Sequence, residues 1–310
     1  MIKKIITLSA LAIISSYSLN SYASSINTHD RVNNIVLVHG AYADGSGWKG
    51  VFHDLHSKGY NVWVAQLPET SLKADVDTVN RIVNLQKGPV ILVGHSYGGI
   101  VVTQAGNNPK VKGLVYVAAV VPKANEEIKS LRVRFKAPAN DVIKIGDGFQ
   151  ILNPKTFHQD FAADISKSDA EFMAYSQVPV AVPKALGASI TKAAWAYKPS
   201  WYIVANQDRK INPELELFMA KRAGSKIYKF NGSHAIFSSE PQEISNVIIS
   251  ASISLEHDKN EKLTYTIKKG DTLSLIANKF LGKSSLYPEI AKLNNIKNVN
   301  LIKTGQVILI

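Results

Sequence analysis

One serine of this chain has the sequence surroundings of a catalytic nucleophile. Ser96 lies in the string GHSYG at residues 94–98, between the apolar run PVILV and the segment GIVVTQAG, which can begin a helix. A sharp turn between a strand and a helix would lift the serine hydroxyl to the carboxyl edge of a sheet, and the flanking glycines would prevent a collision there. A glycine-rich turn with a bystander serine is the alternative. Because the string itself is common, the strand and helix around it carry the prediction.

A serine hydroxyl needs a base, and the base needs an acid that orients it. Among the eight histidines, His234 follows the apolar run KIYKF, at the edge where Ser96 should emerge. Asp208 follows the run WYIVA, again at a carboxyl end. The next helix is better capped by Asn212 followed by Pro213, so Asp208 is left for the site. The sequence therefore predicts a catalytic triad of Ser96, Asp208 and His234.

Two backbone amides are candidates for stabilising the negative charge that forms on a reacting carbonyl oxygen. The first predicted strand runs into His39, Gly40 and Ala41, where glycine lets the backbone approach closely and the Ala41 amide can face the carbonyl. The amide of Tyr97, directly after the serine, is the second predicted donor. We expect His39 to brace this loop and His95 to point into the core.

Short apolar runs predict the strands that must position these residues. They occupy residues 35–38, 61–65, 90–93, 114–118, 201–205 and 226–230. Segments of helical period separate them, so the pattern predicts an α/β fold with a mostly parallel sheet covered on both faces. Residues 122–199 interrupt this alternation with an aromatic-rich, mainly helical segment in which we find no convincing strand. We interpret this segment as a cap over the sheet.

These motifs resemble those of the α/β-hydrolase superfamily over residues 32–254. The likeness is to the capped esterases that include plant methyl esterases and the related hydroxynitrile lyases, and it is carried by IVLVHGAYADGSGW, ILVGHSYGG, SQVPVA, SWYIVANQDR and GSHAIF. The resemblance implies an α/β-hydrolase fold with a helical cap, a triad on Ser96, Asp208 and His234, and no metal or organic cofactor.

Two positions separate this chain from the lyase members of that group. The lyases have threonine and lysine where this chain has Gly40 and Ala235, so the resemblance implies ester hydrolysis. Related dehalogenases use an aspartate nucleophile, which Ser96 excludes. The aromatic cap predicts a small or medium, apolar, uncharged ester as the substrate.

The C-terminal segment, residues 263–310, follows a different pattern. The strings YTIKKGDTLSLIANKF, YPEIAKLNNI and NLIKTGQVILI predict a strand, two short helices and a strand. The segment resembles a LysM module over its whole length, which implies a small α+β (βααβ) domain that binds peptidoglycan or another N-acetylglucosamine polymer. A module that folds but has lost or changed its ligand is the alternative. By the LysM pattern, the binding groove would be lined by Gly270, Asp271, Thr272, Leu273, Asn294, Asn295 and Ile296.

The N-terminus has the three-part layout of a secretory signal peptide. Lys3 and Lys4 precede an apolar run at residues 5–14, and Ser-Tyr-Ala at residues 21–23 would precede the cleavage site. The apolar run has about half of the roughly 20 residues that a spanning helix needs, so we favour cleavage over a membrane anchor. The predicted division is a signal peptide at 1–23, a hydrolase domain at 24–255 with its cap at about 122–199, a linker at 256–262 and the LysM domain at 263–310.

Composition limits the remaining possibilities. With 45% hydrophobic and 19% charged residues, the chain is not wholly disordered. The absence of cysteine excludes disulfides, thiolate metal sites and cysteine nucleophiles. The net charge of +12 suggests an anionic partner. Residues 263–310 hold seven lysines against two acidic residues, which favours a cell-envelope polymer over nucleic acid, for which we find no binding motif.

Taken together, the sequence predicts an exported serine hydrolase, a carboxylesterase held at the cell wall by its LysM module. We expect it in the periplasm, on the wall or secreted, and not as an integral membrane protein. One alternative is a cell-wall ester hydrolase, such as a peptidoglycan O-acetyl esterase. Another is a wall-binding protein whose hydrolase domain is an inactive scaffold.

Overall fold

The structure, a computed structural model, describes residues 32–260, 264–281 and 284–310. The predicted signal peptide at 1–23 and the end of the predicted linker, residues 261–262, lie outside these ranges. None of the helices within the described ranges is long and apolar enough to cross a membrane.

A parallel sheet of six strands forms the centre of the larger domain. Its strands are β1 (Asn34–Val38), β2 (Asn61–Ala65), β3 (Val90–His95), β4 (Val111–Val117), β8 (Ser200–Ala205) and β9 (Lys226–Phe230). They lie in the order β2-β1-β3-β4-β8-β9, and every neighbouring pair is parallel. The six runs predicted from the sequence are all confirmed. The triad prediction depends on this topology, because the carboxyl ends of parallel strands meet at one edge.

Helices cover both faces of the sheet. They are α1 (Lys49–Ser57), α2 (Leu72–Leu85), α3 (Gly98–Ala105), α7 (Pro213–Arg222), α8 (Ile236–Ser239) and α9 (Pro241–Asn260). Alternate residues of β1 enter two separate hydrophobic cores: Val36 and Val38 pack with α2, α3 and α7, whereas Ile35 and Leu37 pack with α1 and α9. The strands at the two edges, β2 and β9, are partly exposed because each has a neighbour on one side only.

The cap differs from the sequence prediction, because it contains a small sheet as well as helices. Its elements are α4 (Ile128–Arg134), β5 (Val142–Gly146), β6 (Phe149–Leu152), α5 (Pro154–Phe161), α6 (Lys167–Tyr175) and β7 (Val180–Ala181). The strands β5, β6 and β7 form an antiparallel sheet. A turn with positive φ at Gly146, Asp147 and Gly148 joins β5 to β6. The Asp-Gly pair was a hairpin signal, but Lys144 divides the apolar run before it.

The predicted linker also differs from the structure over its first residues. Helix α9 continues to Asn260, so residues 256–260 are helical. Glutamate and lysine are good helix formers, and a charged segment that follows an amphipathic helix can extend it.

The smaller domain has the predicted order of strand, helix, helix and strand. Its elements are β10 (Thr264–Thr266), α10 (Leu273–Leu281), α11 (Tyr287–Leu293) and β11 (Val307–Leu309), and the two strands pair antiparallel. They enclose a hydrophobic core of their own, which includes Ile267, Leu273, Ile276, Ile290 and Ile308.

Candidate active site

The predicted nucleophile lies in the sharp turn that joins β3 to α3. Ser96 has a φ of +51°, in the left-handed region that residues with a side chain seldom adopt. A Cβ atom on Gly98 would lie 2.6 Å from the carbonyl oxygen of His39, and one on Gly94 would lie 2.6 Å from the carbonyl oxygen of Gly98. These approaches to backbone leave room for glycine alone. The predicted steric reason for both glycines is therefore confirmed.

The structure brings Ser96, His234 and Asp208 together. The Nε2 atom of His234 lies 2.9 Å from the Ser96 hydroxyl, and its Nδ1 atom lies 2.5 Å from Oδ2 of Asp208. His234 and Asp208 are almost completely buried. Because an ionised Asp208 can only accept, Nδ1 of His234 carries the hydrogen and Nε2 is left to accept the serine proton. The arrangement can activate a hydroxyl group.

Backbone amides hold the acid of this constellation in place. The second carboxylate oxygen of Asp208, Oδ1, accepts hydrogen bonds from the amides of Lys210 at 2.6 Å and Ile211 at 2.8 Å. Asn212 accepts a hydrogen bond from the amide of Glu214 and caps α7, so the cap predicted from the sequence is confirmed. Asp208 is therefore free to orient His234.

The two predicted amide donors line the same cavity as the serine. Ala41, Ser96, Tyr97 and His234 all face it. Within the described part of the chain, the amides of Ala41 and Tyr97 donate no backbone hydrogen bond, so both remain available to a ligand. A Cβ on Gly40 would lie 2.6 Å from Cβ of Ser96, which shows how closely this loop approaches the serine. The geometry is compatible with the predicted oxyanion site.

Two further histidines support the site. The Nε2 atom of His39 accepts a hydrogen bond from the Leu67 amide at 2.9 Å, so its Nδ1 carries the hydrogen and donates to the Gly40 carbonyl at 2.9 Å. Burial lowers the pKa of His39, which favours this neutral form. His95 points into the core as predicted, and its Nε2 donates to the carbonyl of His234 at 2.9 Å. Both histidines therefore brace the loops of the site.

Two buried carboxyl groups that the sequence analysis missed connect both amide-bearing loops. Asp75 accepts a hydrogen bond from the Tyr97 hydroxyl at 2.6 Å and another from the Glu69 amide at 2.8 Å. Glu69 in turn accepts from the amide of Tyr42, which follows Ala41, at 3.2 Å. Both carboxyl groups are fully buried. Burial raises the pKa of Glu69 well above its usual range and raises the pKa of Asp75.

A third buried carboxyl group lies behind Asp208. Glu216 of α7 is fully buried and accepts a hydrogen bond from the Ala205 amide at 3.1 Å. Burial and the neighbouring charge of Asp208 raise the pKa of Glu216 well above its usual range. A neutral Glu216 would avoid placing a second negative charge beside Asp208.

Helical spacing could have revealed two of these acids. Asp75 shares the buried stripe of α2 with Leu72, Val79 and Val83, at steps of three and four residues. An acid within an apolar stripe indicates a specific buried partner. Glu216 stands in the same relation to the buried Met219 of α7.

The cavity above Ser96 has a volume of about 300 Å³. Its walls include the apolar side chains of Val142, Phe161 and Ile211, and also three cationic side chains and an asparagine. Tyr42, Tyr97 and Phe161 contribute aromatic residues to the lining, and the three cations are the feature that the sequence did not predict. Other aromatic side chains of the cap lie away from the cavity: Phe157 is buried and stacks on Phe161, whereas Phe172 is exposed.

No cluster of three or more histidine, aspartate or glutamate side chains suited to a metal ion is present among the described residues.

The first loop of the predicted LysM groove contains polar side chains held by local hydrogen bonds and one leucine whose side chain is buried. Gly270 adopts a φ of +93°, and Asp271 accepts a hydrogen bond from the Tyr265 hydroxyl at 2.8 Å. Thr272 accepts a hydrogen bond from an amide of the first turn of α10. The side chain of Leu273 is buried in the module's core, so only its backbone can face a ligand.

The second loop of the groove follows α11. The side-chain amide of Asn294 donates to the carbonyl of Leu309 at 2.7 Å and accepts from its amide at 2.7 Å, which ties the loop to β11. Asn295 has a φ of +53°, and Ile296 packs partly against the core. The role of these seven residues in binding a glycan stays a prediction.

Comparison with known proteins agrees with this architecture. The family model described as "Alpha/beta hydrolase family" matches residues 35–247. The model described as "LysM domain" matches residues 265–310. A probable hydrolase of the fungus Phoma is 25% identical over 240 residues, which are 69% of this chain and 96% of that protein.

Solved structures with the same fold include two hydrolytic enzymes. A pyrethroid hydrolase from Sphingobium faniae aligns with a TM-score of 0.62 at 21% identity, over 72% of this chain and 98% of that one. Polyneuridine aldehyde esterase aligns with a TM-score of 0.61 at 17% identity, over 72% of this chain and 100% of that one. At these identities the likeness shows the fold alone. On the strength of the family match, the chain belongs to the alpha/beta hydrolase family and has a LysM domain at its C-terminus.

Proposed function

We propose that this hydrolase cleaves carboxylic esters through an acyl-serine intermediate. The observation that carries the proposal is the chain of hydrogen bonds from Asp208 through His234 to Ser96, which ends at a cavity of about 300 Å³. A serine hydroxyl activated in this way attacks acyl carbonyl carbons. The similarity to a solved esterase structure supports the fold of this domain and carries no information about its substrate.

In the proposed reaction, His234 transfers a proton in each of two stages, first from Ser96 to the departing alcohol and then from water back to Ser96. Nε2 of His234 takes the proton of the Ser96 hydroxyl while Oγ attacks the ester carbonyl carbon, and the carbonyl oxygen becomes negative. The amides of Ala41 and Tyr97 donate to that oxygen. His234 then protonates the departing alcohol, which leaves an acyl group on Ser96. Water, deprotonated by His234, attacks the acyl carbon and releases the acid and the free serine.

The size of the cavity favours a small or medium ester, since ligand pockets begin near 300 Å³. The apolar substrate expected from the sequence has partial support. Phe161 and Ile211 provide apolar walls, but charged side chains of the cap and of the loop after β8 share the same lining.

We further propose that the protein is exported and that its LysM domain holds it at the cell wall. The N-terminal sequence pattern supports export, and the LysM match supports binding to peptidoglycan or a related N-acetylglucosamine polymer. Binding there would concentrate the hydrolase near esters of the envelope. No nucleic acid and no cofactor has a part in this proposal.

A wall ester, such as an O-acetyl group of peptidoglycan, is a second candidate substrate. The LysM domain favours it because the module would bring the active site to the polymer. Release of acetate from purified O-acetylated peptidoglycan tests this candidate. The absence of acetate, with an enzyme that cleaves small esters, would exclude it.

Hydrolysis of p-nitrophenyl acetate and butyrate tests the proposed mechanism. We expect Ser96→Ala to lower kcat by a factor of at least about 10³, because the acyl-enzyme can no longer form. Ser57→Ala is the matched control, since Ser57 is exposed at the end of α1. Equal rates in the wild type and Ser96→Ala would refute the mechanism.

A further inference from the structure

Three cationic side chains line the cavity that contains Ser96. Arg132 comes from the cap helix α4, Lys136 from the segment after it, and Lys210 from the loop that also carries Asp208. Arg132 and Lys136 are exposed, whereas Lys210 is half-buried. No acidic side chain shares the lining of this cavity among the residues that the structure describes.

None of these cations has an ion-pair partner within the described ranges. Other basic residues nearby do: Arg209 pairs with Asp160 at 3.3 Å, and Arg222 pairs with Glu126 at 2.7 Å. Among the described residues, the Lys210 ammonium group has one polar contact, a weak one at 3.4 Å to the carbonyl oxygen of Ala139. The cavity therefore contains positive charges that have no direct ion-pair partner in the described part of the protein.

The acids closest to Lys210 are already engaged. Asp160 pairs with Arg209, and Asp208 holds His234. Asp141 accepts hydrogen bonds from the side chains of Asn153 and Thr156.

Burial and the surrounding charges both change the pKa of Lys210. Burial lowers the pKa of Lys210, and the positive charge of Arg132 lowers it further, whereas Asp160, Asp208 and Asp141 act in the opposite direction. Arg132 and Lys210 are thus close enough to repel each other. A bound anion would relieve that repulsion and offset the cost of enclosing the lysine.

We propose that Arg132, Lys136 and Lys210 form an anion subsite next to Ser96, and that the substrate is an ester that also carries a carboxylate or phosphate group. The ester part of this assignment rests on the proposed function. Guanidinium and ammonium groups recognise both kinds of anion. The cavity volume of about 300 Å³ suits a compact molecule in which the anion and the ester are a few bonds apart.

Three phenyl acetates of similar size test this subsite with the full-length protein. They are 4-acetoxybenzoate, 4-acetoxyphenyl phosphate and the neutral 4-acetoxybenzamide. We expect kcat/KM for at least one of the anionic esters to exceed that for the amide by at least about tenfold, the usual effect of one charge-assisted contact. The better of the two anions identifies the preferred group. Equal kcat/KM values for all three esters would overturn the subsite.

Substitutions then assign the preference to individual residues. Lys210→Gln and Arg132→Gln should each reduce the ratio of anionic to neutral kcat/KM by about tenfold. Lys226→Gln is the control, because Lys226 is exposed at the amino end of β9, opposite the edge that carries the site. An unchanged ratio in both Lys210→Gln and Arg132→Gln would contradict the assignment.

Calorimetric titration of Ser96→Ala with the uncleaved esters separates this proposal from the reaction. We expect the anionic esters to bind at least about tenfold more tightly than the amide, even though this variant cannot turn them over. If the wild type cleaves none of the esters but Ser96→Ala shows this preference, the proposed reaction fails and the subsite stands. If the wild type cleaves all three esters and Ser96→Ala binds them equally, the subsite fails and the reaction stands.

Discussion

Ser96 keeps its unusual backbone conformation because its peptide groups are fully used. Its amide donates to the carbonyl of Val117 at 3.2 Å, and its carbonyl accepts from the amides of Gly99 and Val120, both at 3.0 Å. These bonds join the turn to β4 and to the first turn of α3. They compensate a left-handed φ, and they direct the hydroxyl toward His234.

Glu69 should make the stability of the protein depend on pH. Burial raises the pKa of Glu69 well above the usual value of 4.5, so the folded state keeps a proton that the unfolded chain releases. The folded state then binds more protons than the unfolded state above pH 4.5. The contribution of Glu69 to the free energy of unfolding therefore decreases as the pH rises through the folded-state pKa.

Glu69→Gln replaces the carboxyl group with an amide that does not titrate, so this residue no longer contributes to the difference in bound protons between the folded and unfolded states. We expect the free energy of unfolding of Glu69→Gln, relative to the wild type, to increase between pH 4.5 and pH 8. Urea denaturation at several pH values measures it. Glu171→Gln on the exposed face of α6 is the control and should follow the wild type at every pH. Parallel curves for wild type and Glu69→Gln would show that Glu69 does not hold its proton in the folded state.

The three residues of the proposed triad could be placed near one another from the sequence because each follows a strand of a parallel sheet. The chain order and the sheet edge then suffice to bring Ser96, Asp208 and His234 together. Arg132 and Lys136 could not be placed in this way, since the fold of the cap determines which of its side chains face the cavity. Lys210 could have been considered, because it is close to Asp208 in the same loop.

The contact between the β3–α3 turn and the end of β1 depends on glycine. A Cβ on Gly98 would lie 2.6 Å and 2.7 Å from the carbonyl oxygens of His39 and Val38. We expect Gly98→Ala to push the turn away from β1, which would cost about 1 to 3 kcal/mol of stability and at least tenfold in kcat. Ester turnover and urea denaturation measure the two effects.

Ala105→Gly is the matched control for this element. Ala105 is the last residue of the same helix and is buried, so Ala105→Gly should cost about 1 to 2 kcal/mol of stability through helix propensity and the loss of one buried methyl group. The folded fraction of Ala105→Gly should keep wild-type kcat. Full activity in folded Gly98→Ala would show that the close approach at β1 is unnecessary for the reaction.

The strands of the central sheet were predictable because they are buried, apolar and separated by helices. The antiparallel strands β5 and β6 were missed because their side chains are mostly exposed or half-buried, and the apolar pattern is correspondingly weak. Sequence periodicity reports burial, so an exposed hairpin on a cap gives little signal except at its Asp-Gly turn.

At the scale of the whole molecule, the LysM domain has a core separate from the two cores of the hydrolase domain. We therefore expect a chain truncated after Asn260 to fold and to hydrolyse soluble esters within about twofold of the full-length rate, while it loses binding to peptidoglycan. Sedimentation with purified peptidoglycan and a soluble-ester assay measure the two properties.

Two outcomes would contradict the assignment of ester hydrolysis to the larger domain and of peptidoglycan binding to the LysM domain. Retention of the truncated protein on peptidoglycan would place wall binding in the hydrolase domain. A large loss of soluble-ester turnover would mean that the LysM domain supports the active site. The domain boundaries predicted from the sequence would then need to be revised.

The central claim is that Ser96 is an activated nucleophile, and covalent labelling with a fluorophosphonate tests it most directly. The reagent forms a bond between phosphorus and Oγ of the serine and releases fluoride and a proton. We expect intact-mass measurement to show a single adduct, located on Ser96 by peptide mapping, and no adduct in Ser96→Ala. A folded wild-type protein that takes up no label at Ser96 would contradict the account and would favour an inactive hydrolase scaffold carried by a wall-binding protein.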